Sequence, residues 1–400
     1  MSNSRMVAWC AWFIASIFYA YQYILRVMPN IMLPNIMQQF NIDAAVFGQF
    51  SGAFYIGYCL LHLPIGIMLD RHGPRKVMSA CILLTVIGLL PLIFTEHWIY
   101  PIIGRFLIGV GSSAAILGVF KIIRITFSQQ HFTRMLSFSV TIGLIGAIYG
   151  GVPVSYLCET YGHKAVIEIL AVLGVVFAFI TYMLVPEIAS NHKTTIISDI
   201  RAVFANPKVI IVCCLAGLMV GPLEGFADAW GSEFLKQEYG FESNIANYLT
   251  SIIYIGMCFA PVLSRIAEKT GRYLETITGA GIVMLAVFVM LVAGILEYKS
   301  ITILFFIVGI CCAYQILAIY KASTYVPENI AGLTTAVANM IIMSFGYIFH
   351  SVIGAIIKSY NTTGEDLAMT YGIAFIPAAL LVGVIGFLIL IYQEQKNYKN

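Results

Sequence analysis

Twelve apolar stretches divide this chain, near residues 7–29, 46–69, 77–95, 99–121, 135–157, 165–185, 209–231, 245–264, 273–296, 300–321, 333–357 and 371–393. Each is about 20 residues long, the length an α-helix needs to cross the hydrocarbon core of a bilayer. Between them there is too little polar sequence to wet a globule. Only 10% of residues are charged and 60% are hydrophobic, where a soluble domain carries roughly a quarter charged. Inside a bilayer every backbone N–H and C=O has to be satisfied internally, which leaves helices as the form for such segments. The pattern predicts an all-α membrane protein of twelve transmembrane helices. The first stretch begins by residue 7 with only Arg5 before it and no small-residue cleavage site after it. It reads as a membrane span and not as a removed signal peptide.

The longest polar connection, 186–208, splits the spans six and six. It sets an expected six-helix bundle at 1–185, a central loop at 186–208 and a second bundle at 209–400. Of the 22 lysines and arginines, sixteen fall on the side of the N-terminus and the central loop. Four, Lys164, Lys236, Lys299 and Lys358, fall on the other side, and Arg26 and Arg105 lie inside spans. By the positive-inside rule the N-terminus, C-terminus and central loop face the cytoplasm. The halves also repeat. Glu268-Lys269-Thr270-Gly271 follows span eight as Asp70-Arg71-His72-Gly73 follows span two, an offset of 198 that also aligns Gly111 with Gly309. Parallel six-helix repeats around a central pathway are a design of secondary carriers.

The densest charge cluster is Gly66-Ile67-Met68-Leu69-Asp70-Arg71-His72-Gly73-Pro74-Arg75-Lys76. This G-x-x-x-D-R-x-G-x-R-K run resembles the signature loop of the major facilitator superfamily. Its degraded echo is Glu268-Lys269-Thr270-Gly271-Arg272, and Arg105-x-x-x-Gly109-x-Gly111 on span four is similar to that family's second motif. The resemblance implies two pseudo-symmetric bundles working by alternating access. It implies that Asp70 caps a neighbouring helix and pairs with bases in one of two states. Gly66, Arg71, Gly73, Arg75, Lys76, Glu268, Lys269, Gly271 and Arg272 would complete the gating motif, and Arg105 would take part in proton coupling. Span five has Gly143, Gly146, Gly150, Gly151 and Pro153 but no Gly-Pro dipeptide, which departs from the antiporter branch and favours uptake.

Ionisable residues inside a membrane are costly and are functional candidates. On span one, Tyr19, Gln22, Tyr23 and Arg26 recur at helical spacing on one face. Arg26 offers a planar fork of donors for a carboxylate or phosphate; a structural ion pair or snorkelling is the alternative. On span seven Glu224 and Asp228 stand four apart, on one face of an α-helix. The offset of 198 makes Glu224 the counterpart of Arg26. Either acid could bind a substrate ammonium or carry the coupling proton, Glu224 first. Tyr314 and Gln315 on span ten and Asn339 on span eleven, whose face also holds Met343, Gly346 and His350, could line the pathway, as could Tyr55, Tyr58 and His62 on span two. Each is equally an interhelical polar contact.

None of the nine cysteines forms C-x-x-C, and small apolar packing is the expected use. No cofactor or metal is expected. The absence of a P-loop, of H-E-x-x-H and of any extramembrane catalytic domain argues against an enzyme. The basic loops hug the membrane, so no nucleic-acid partner is expected. The partners are a small-molecule substrate, protons and the lipid bilayer, with the chain as a monomer. The function expected is proton-coupled uptake of an amino acid or related carboxylate across a bacterial inner membrane. A loose resemblance to nutrient-uptake carriers of the same superfamily rests on the run from Tyr21 to Met32. The alternatives are drug or metabolite efflux by proton antiport, an organic-anion or siderophore carrier, and a transport-dead sensor, which the short tail disfavours.

Overall fold

The computed structural model describes residues 2–127, 131–186, 196–361 and 367–399. Among the described residues every regular element is a helix and none is a strand. Among the described residues eleven helices are long and apolar enough to cross a membrane. A bent pair, Pro207–Gly217 with Gly221–Tyr239, makes twelve if counted as one span. The twelve-span expectation therefore holds, with span seven broken.

The chain forms two compact units. The first comprises Met1–Ile42 and Gln49–Thr194, the second Asp43–Gly48 and Thr195–Asn400. In unit one the helices are α1 (Ser2–Phe40), α2 (Ala44–His72, whose first turn belongs to unit two), α3 (Pro74–Phe94), α4 (Ile99–Thr126), α5 (Phe132–Tyr149), α6 (Val152–Tyr161) and α7 (His163–Leu184). In unit two they are α8 (Ile196–Phe204), α9 (Pro207–Gly217), a π-helical segment (Gly221–Trp230), α10 (Gly231–Tyr239), α11 (Ser243–Met257), α12 (Ala260–Thr270), α13 (Tyr273–Val292), α14 (Tyr298–Cys312), α15 (Tyr314–Ser323), α16 (Glu328–Asn361) and α17 (Ala368–Lys399). Several spans are thus jointed. Span five breaks at Gly150–Gly151, span eight at Cys258–Phe259 and span ten at Ala313.

The surface is that of a protein in hydrocarbon. On α7, Val172, Leu173, Val175, Val176 and Phe179 are at least half exposed, which water would penalise and lipid tails do not. The central connection is not only a loop. It contains α8 and the start of α9, while 187–195 lies outside the described residues.

The first span runs further than its hydropathy. The apolar window stops at 29, yet α1 continues through Pro29 and Pro34 to Phe40. Asn30, Gln38 and Gln39 lower the local hydropathy, but Met28, Met32, Leu33, Ile36 and Phe40 are buried at helical spacing. Gln39 ties the end down: its amide donates to the Leu92 carbonyl at 2.9 Å and its carbonyl oxygen lies 2.7 Å from His163 Nε2. The 35 residues of Met6–Phe40 extend about 50 Å, longer than the roughly 30 Å hydrocarbon core.

Glycines set the closest helix contacts, and they repeat. A Cβ on Gly109 would strike the Phe54 carbonyl and come within 2.9 Å of Tyr58 N; on Gly57 it would strike the Phe106 carbonyl. In unit two a Cβ on Gly309 would strike the Ile253 carbonyl and come within 2.9 Å of Met257 N, and on Gly256 it would strike the Phe306 carbonyl. The α2–α4 contact is therefore rebuilt as α11–α14. Phe54 matches Ile253, an offset of 199, and Gly109 matches Gly309, an offset of 200. This corrects the alignment of Gly111 with Gly309. Only at the turns does 198 hold: Gly73 (φ 79°) and Gly271 (φ 68°) both sit in the left-handed region that glycine tolerates without strain.

Span seven departs most from expectation. After α9, residues Leu218–Val220 leave the helix and the axis bends by 41°. Pro222 has no N–H to give and its ring clashes with the carbonyl four residues back. The chain resumes as a π-helix, ending with Gly231 N–H on the Phe226 carbonyl, an i→i+5 bond. All ten residues of the segment are buried. π-Helix is rare and concentrates at functional sites.

Candidate functional site

In unit one the span-one stripe forms as expected. Tyr23, Gln22 and Arg26 are buried and Tyr19 is half-buried. The Tyr19 and Tyr23 rings meet edge to face at 5.2 Å, and Tyr19 rests on Gly143 of α5, where a Cβ would lie 2.5 Å from the ring. The Arg26 guanidinium lies 5.4 Å from the Tyr23 ring centre and 5.3 Å from that of Tyr55 on α2. Both are cation–π distances, and such contacts strengthen when desolvated. Tyr58 and His62 continue the α2 face with ring centres 5.0 Å apart.

Arg105 on α4 is 1% exposed. Its guanidinium donates to the main-chain carbonyls of Leu25 and Arg26, the second at 2.7 Å, and lies 5.0 Å from the Phe54 ring. A guanidinium does not deprotonate in proteins. Arg105 thus grips the turn of α1 that presents Arg26 and cannot itself pass a proton on.

In unit two the carboxyls of Glu224 and Asp228 lie on the π segment, both 0% exposed. Gln315 on α15 turns its amide nitrogen to both Glu224 oxygens, at 3.2 and 3.3 Å. His350 on α16 donates from Nε2 to the Glu224 main-chain carbonyl at 2.5 Å. Tyr254 on α11 donates its hydroxyl to Asp228 Oδ1. Tyr314 donates to the Ala216 carbonyl at 2.7 Å, just before the break in span seven. The structure brings together Glu224, Asp228 and Gln315, with Tyr314 at the break. Asn339 does not join them: it is eleven residues from His350 on α16, about 16 Å along the helix.

Tyr254 is the residue that sequence reasoning missed. The signal was Tyr55. At the offset of 199 that relates α2 to α11, Tyr55 becomes Tyr254. Tyr55 faces Arg26 and Tyr254 holds Asp228. By this contact the acid that occupies the place of Arg26 in unit two is Asp228. Subtraction of a constant 198 had pointed to Glu224. A shift of one residue turns an α-helix by about 100°, so a drifting offset cannot assign side-chain partners.

The signature loop is well formed. α2 ends at His72, Gly73 reverses the chain and Pro74 opens α3. Asp70 pairs with Lys121 on α4 at 2.7 Å. It does not cap α3, whose N-cap is Gly73 with no side-chain cap. Arg75 donates to the Tyr182 carbonyl at 2.5 Å and lies 4.5 Å from that ring. Gly66 is half-buried beside Leu117, and Arg71 and Lys76 are exposed. In the echo, Glu268, Lys269, Gly271 and Arg272 are exposed. The work of tying helices passes to other residues there. Glu394 on α17 meets Lys321 at 3.2 Å and accepts from the Tyr325 hydroxyl. Burial, then hydrogen bonding to Glu394, pushes the Tyr325 phenol up. Among the described residues no cluster of three or more His, Cys, Asp or Glu could hold a metal ion.

Jointed helices in two related units, a charged reversal after the second span and buried charges at mid-span define a membrane transporter. The sequence profile of the Major Facilitator Superfamily matches residues 12–351, and the chain belongs to that family. Protein spinster homolog 1 of Xenopus laevis is 26% identical over 271 residues, 61% of this chain and 51% of that protein. A putative tartrate transporter of Agrobacterium vitis is 23% identical over 395 residues, 90% of this chain and 88% of the relative. Among solved structures the nucleoside transporter NupG matches with a TM-score of 0.78 at 16% identity, covering 95% of this chain and 99% of that one. The family is one of transporters and not of enzymes.

Proposed function

We propose that the chain is a secondary active importer of a bacterial inner membrane, with both termini in the cytoplasm, that works as a monomer and couples uptake of a small carboxylate-bearing metabolite to protons. The observation that carries this reading is the burial of a cation on the first span of unit one and of two acids on the first span of unit two: Arg26 is 7% exposed, Glu224 and Asp228 0%. A charge inside a membrane is costly and marks a candidate functional site by default. Arg26 takes the carboxylate through its fork of donors. Tyr19, Gln22 and Tyr23 line its approach. The acids of the π segment take an ammonium, a proton, or one of each, with Gln315 and Tyr314 around them. The first substrate class is an amino acid, which carries a carboxylate and an ammonium. A simple organic anion is the second substrate class, favoured by the likeness to a putative tartrate transporter. Asp70, Lys121 and Arg75 form the gate at the cytoplasmic end of unit one.

The test is uptake of labelled amino acids and organic acids into proteoliposomes holding the purified protein. An inward proton gradient is expected to drive accumulation of at least one of them, and a protonophore to abolish it. Equal uptake with and without the gradient would remove the coupling.

A further inference from the structure

Where α12 turns into α13, two cavities of unit two meet. The first, of about 180 Å³, is lined by charged and polar groups, among them Arg272, Tyr273, Glu275, Lys321 and Glu394. The second, of about 380 Å³, runs from Arg272 and Glu275 past Ile266, Gly279 and Ala280 to Val283, and its wall is almost wholly apolar. Arg272 and Glu275 line both. We propose that the two cavities form one site for a phospholipid whose headgroup carries a phosphate and a primary ammonium. The headgroup sits in the charged cavity and an acyl chain in the apolar groove. The site goes beyond the transport reading; only the leaflet it faces rests on the orientation proposed above.

The charged cavity offers two bases and two acids. Lys321 and Glu394 lie 3.2 Å apart and pair with each other, and Glu394 also accepts from the Tyr325 hydroxyl. Arg272 and Glu275 are exposed, and among the described residues neither takes part in a salt bridge. They are the pair left for a ligand. A guanidinium meets a phosphate with two parallel hydrogen bonds. A carboxylate only accepts, so it needs a donor such as an ammonium N–H. A bare phosphate would be repelled by Glu275 and Glu394, and a bare cation by Arg272 and Lys321. A headgroup with one charge of each sign satisfies both sets. A quaternary ammonium has no N–H to give, so the primary amine is preferred.

The groove selects a lipid over a soluble phosphate ester. Its floor is open at Gly279, where a Cβ would meet nothing within 4 Å. Ile266 and Val283 on its sides are exposed hydrophobic residues. Its two threonines spend their hydroxyls on their own turns: Thr270 donates to the Ile266 carbonyl at 2.8 Å and Thr276 to the Arg272 carbonyl at 2.7 Å. From Glu275 to Val283 is eight residues of α13, about 12 Å of helix for a chain to lie along. Lipid tails elsewhere in the bilayer are as apolar as this wall, so the groove adds little affinity alone. It places one chain directly beneath the charged cavity and leaves the choice of lipid to the headgroup. Tyr273, which lines that cavity, packs on Tyr320 with ring centres 4.8 Å apart, and such rings concentrate at headgroup level.

The test needs no transport. The full chain in detergent is given equal amounts of dioleoyl-phosphatidylethanolamine, -phosphatidylcholine and -phosphatidylglycerol, and native mass spectrometry reads which lipid it retains. The ethanolamine lipid should be retained about tenfold over the other two, the worth of a hydrogen bond to a charged group. Arg272→Gln with Glu275→Gln should erase that preference. Gly279→Leu, which fills the groove and leaves the charged cavity alone, should lower retention about fivefold or more, the cost of forcing a side chain into occupied space. Equal retention of the three lipids overturns the proposal, as does a preference that survives the double variant or ignores Gly279→Leu. Phosphoethanolamine, the headgroup without chains, should not displace the lipid; displacement would make the ligand a soluble phosphate ester and end the lipid reading. Both charged residues are exposed, so the variants should fold, which melting in detergent checks. Should the double variant be lost, Glu275→Gln alone has to abolish the preference for ethanolamine over choline, and its persistence overturns the proposal. A failure of proton-driven uptake would leave these results untouched.

Discussion

The two units bury charge in opposite ways. Among the described residues of unit one the two buried charges are guanidinium groups, and their partners include main-chain carbonyls and aromatic faces: Arg105 grips the Leu25 and Arg26 carbonyls, and Arg26 lies near the Tyr23 and Tyr55 rings. In unit two both are carboxyls, and their partners include the side chains of Gln315 and Tyr254. Carbonyls and ring faces suit a cation. Amide and hydroxyl groups supply the donors that a carboxylate needs. One unit thus buries cations and the other acids, although the helices beneath them repeat almost residue for residue at the glycine contacts.

The strongest way to break this contrast is at Arg26. Arg26→Ala should lower carboxylate uptake on the order of 100-fold or more, the cost of removing one partner of a buried charge pair. Arg26→Lys should not restore it, because the ammonium keeps the charge and loses the fork. Transport assays on the two variants side by side decide whether shape or charge alone matters. A smaller effect is expected one step away. Arg105→Lys cannot reach two carbonyls together, so the turn carrying Arg26 loosens and uptake should fall about tenfold through a raised KM; a loss confined to kcat would contradict a positioning role.

The shared framework can be tested in both units at once. Gly109→Ala and Gly309→Ala each push a Cβ into a backbone carbonyl, so each should destabilise its unit by about 1–3 kcal/mol. Thermal unfolding in detergent should report similar losses for both; indifference at Gly309 would mean that the contact is not the true repeat of that at Gly109. The smallest effect belongs to an exposed pair. Asp43 meets Lys358 at 2.8 Å. Partial burial raises the Asp43 carboxyl, but hydrogen bonds from Lys358 and the Val46 N–H outweigh it and hold the group below its ordinary value. A depressed folded-state value means that the stabilisation is present above the unfolded value near 3.8 and is lost as pH falls through the folded one. Lys358→Ala should therefore cost less than about 1 kcal/mol at pH 7 and nothing measurable at pH 2.

Much of this was legible in the sequence because a bilayer writes its rules coarsely. Twelve windows, a charged reversal at Asp70–Gly73 and charges at 26, 105, 224 and 228 need no geometry to be noticed. What stayed hidden depends on register. Nothing in Gly221-Pro222 announces that the chain resumes as a π-helix and not as an α-helix, so Glu224 and Asp228 were placed on an α-helical face that the structure does not have. Tyr254 looks like any aromatic in an apolar run until the glycine contacts fix the offset at 199. The extension of α1 to Phe40 was masked because hydropathy averages Asn30 and Gln39 with the buried residues between them. Arg105 could be flagged as costly, but main-chain carbonyls have no sequence signature.

The glycine contacts also say where each unit can flex. Two helices whose backbones touch without Cβ atoms between them cannot slide by a residue without collision, so α2 with α4, and α11 with α14, behave as planks glued along one edge. In unit one both members of the plank run unbroken from end to end. In unit two the same plank is followed by joints at Cys258–Phe259 and Ala313, and the neighbouring span has a third at Leu218–Val220. Among the described residues unit one has one joint, at Gly150–Gly151 of span five and off the plank, whereas unit two has three. A spectroscopic ruler placed along α2 should therefore keep its length through a transport cycle, while one placed across Leu218–Val220 should change with every turn.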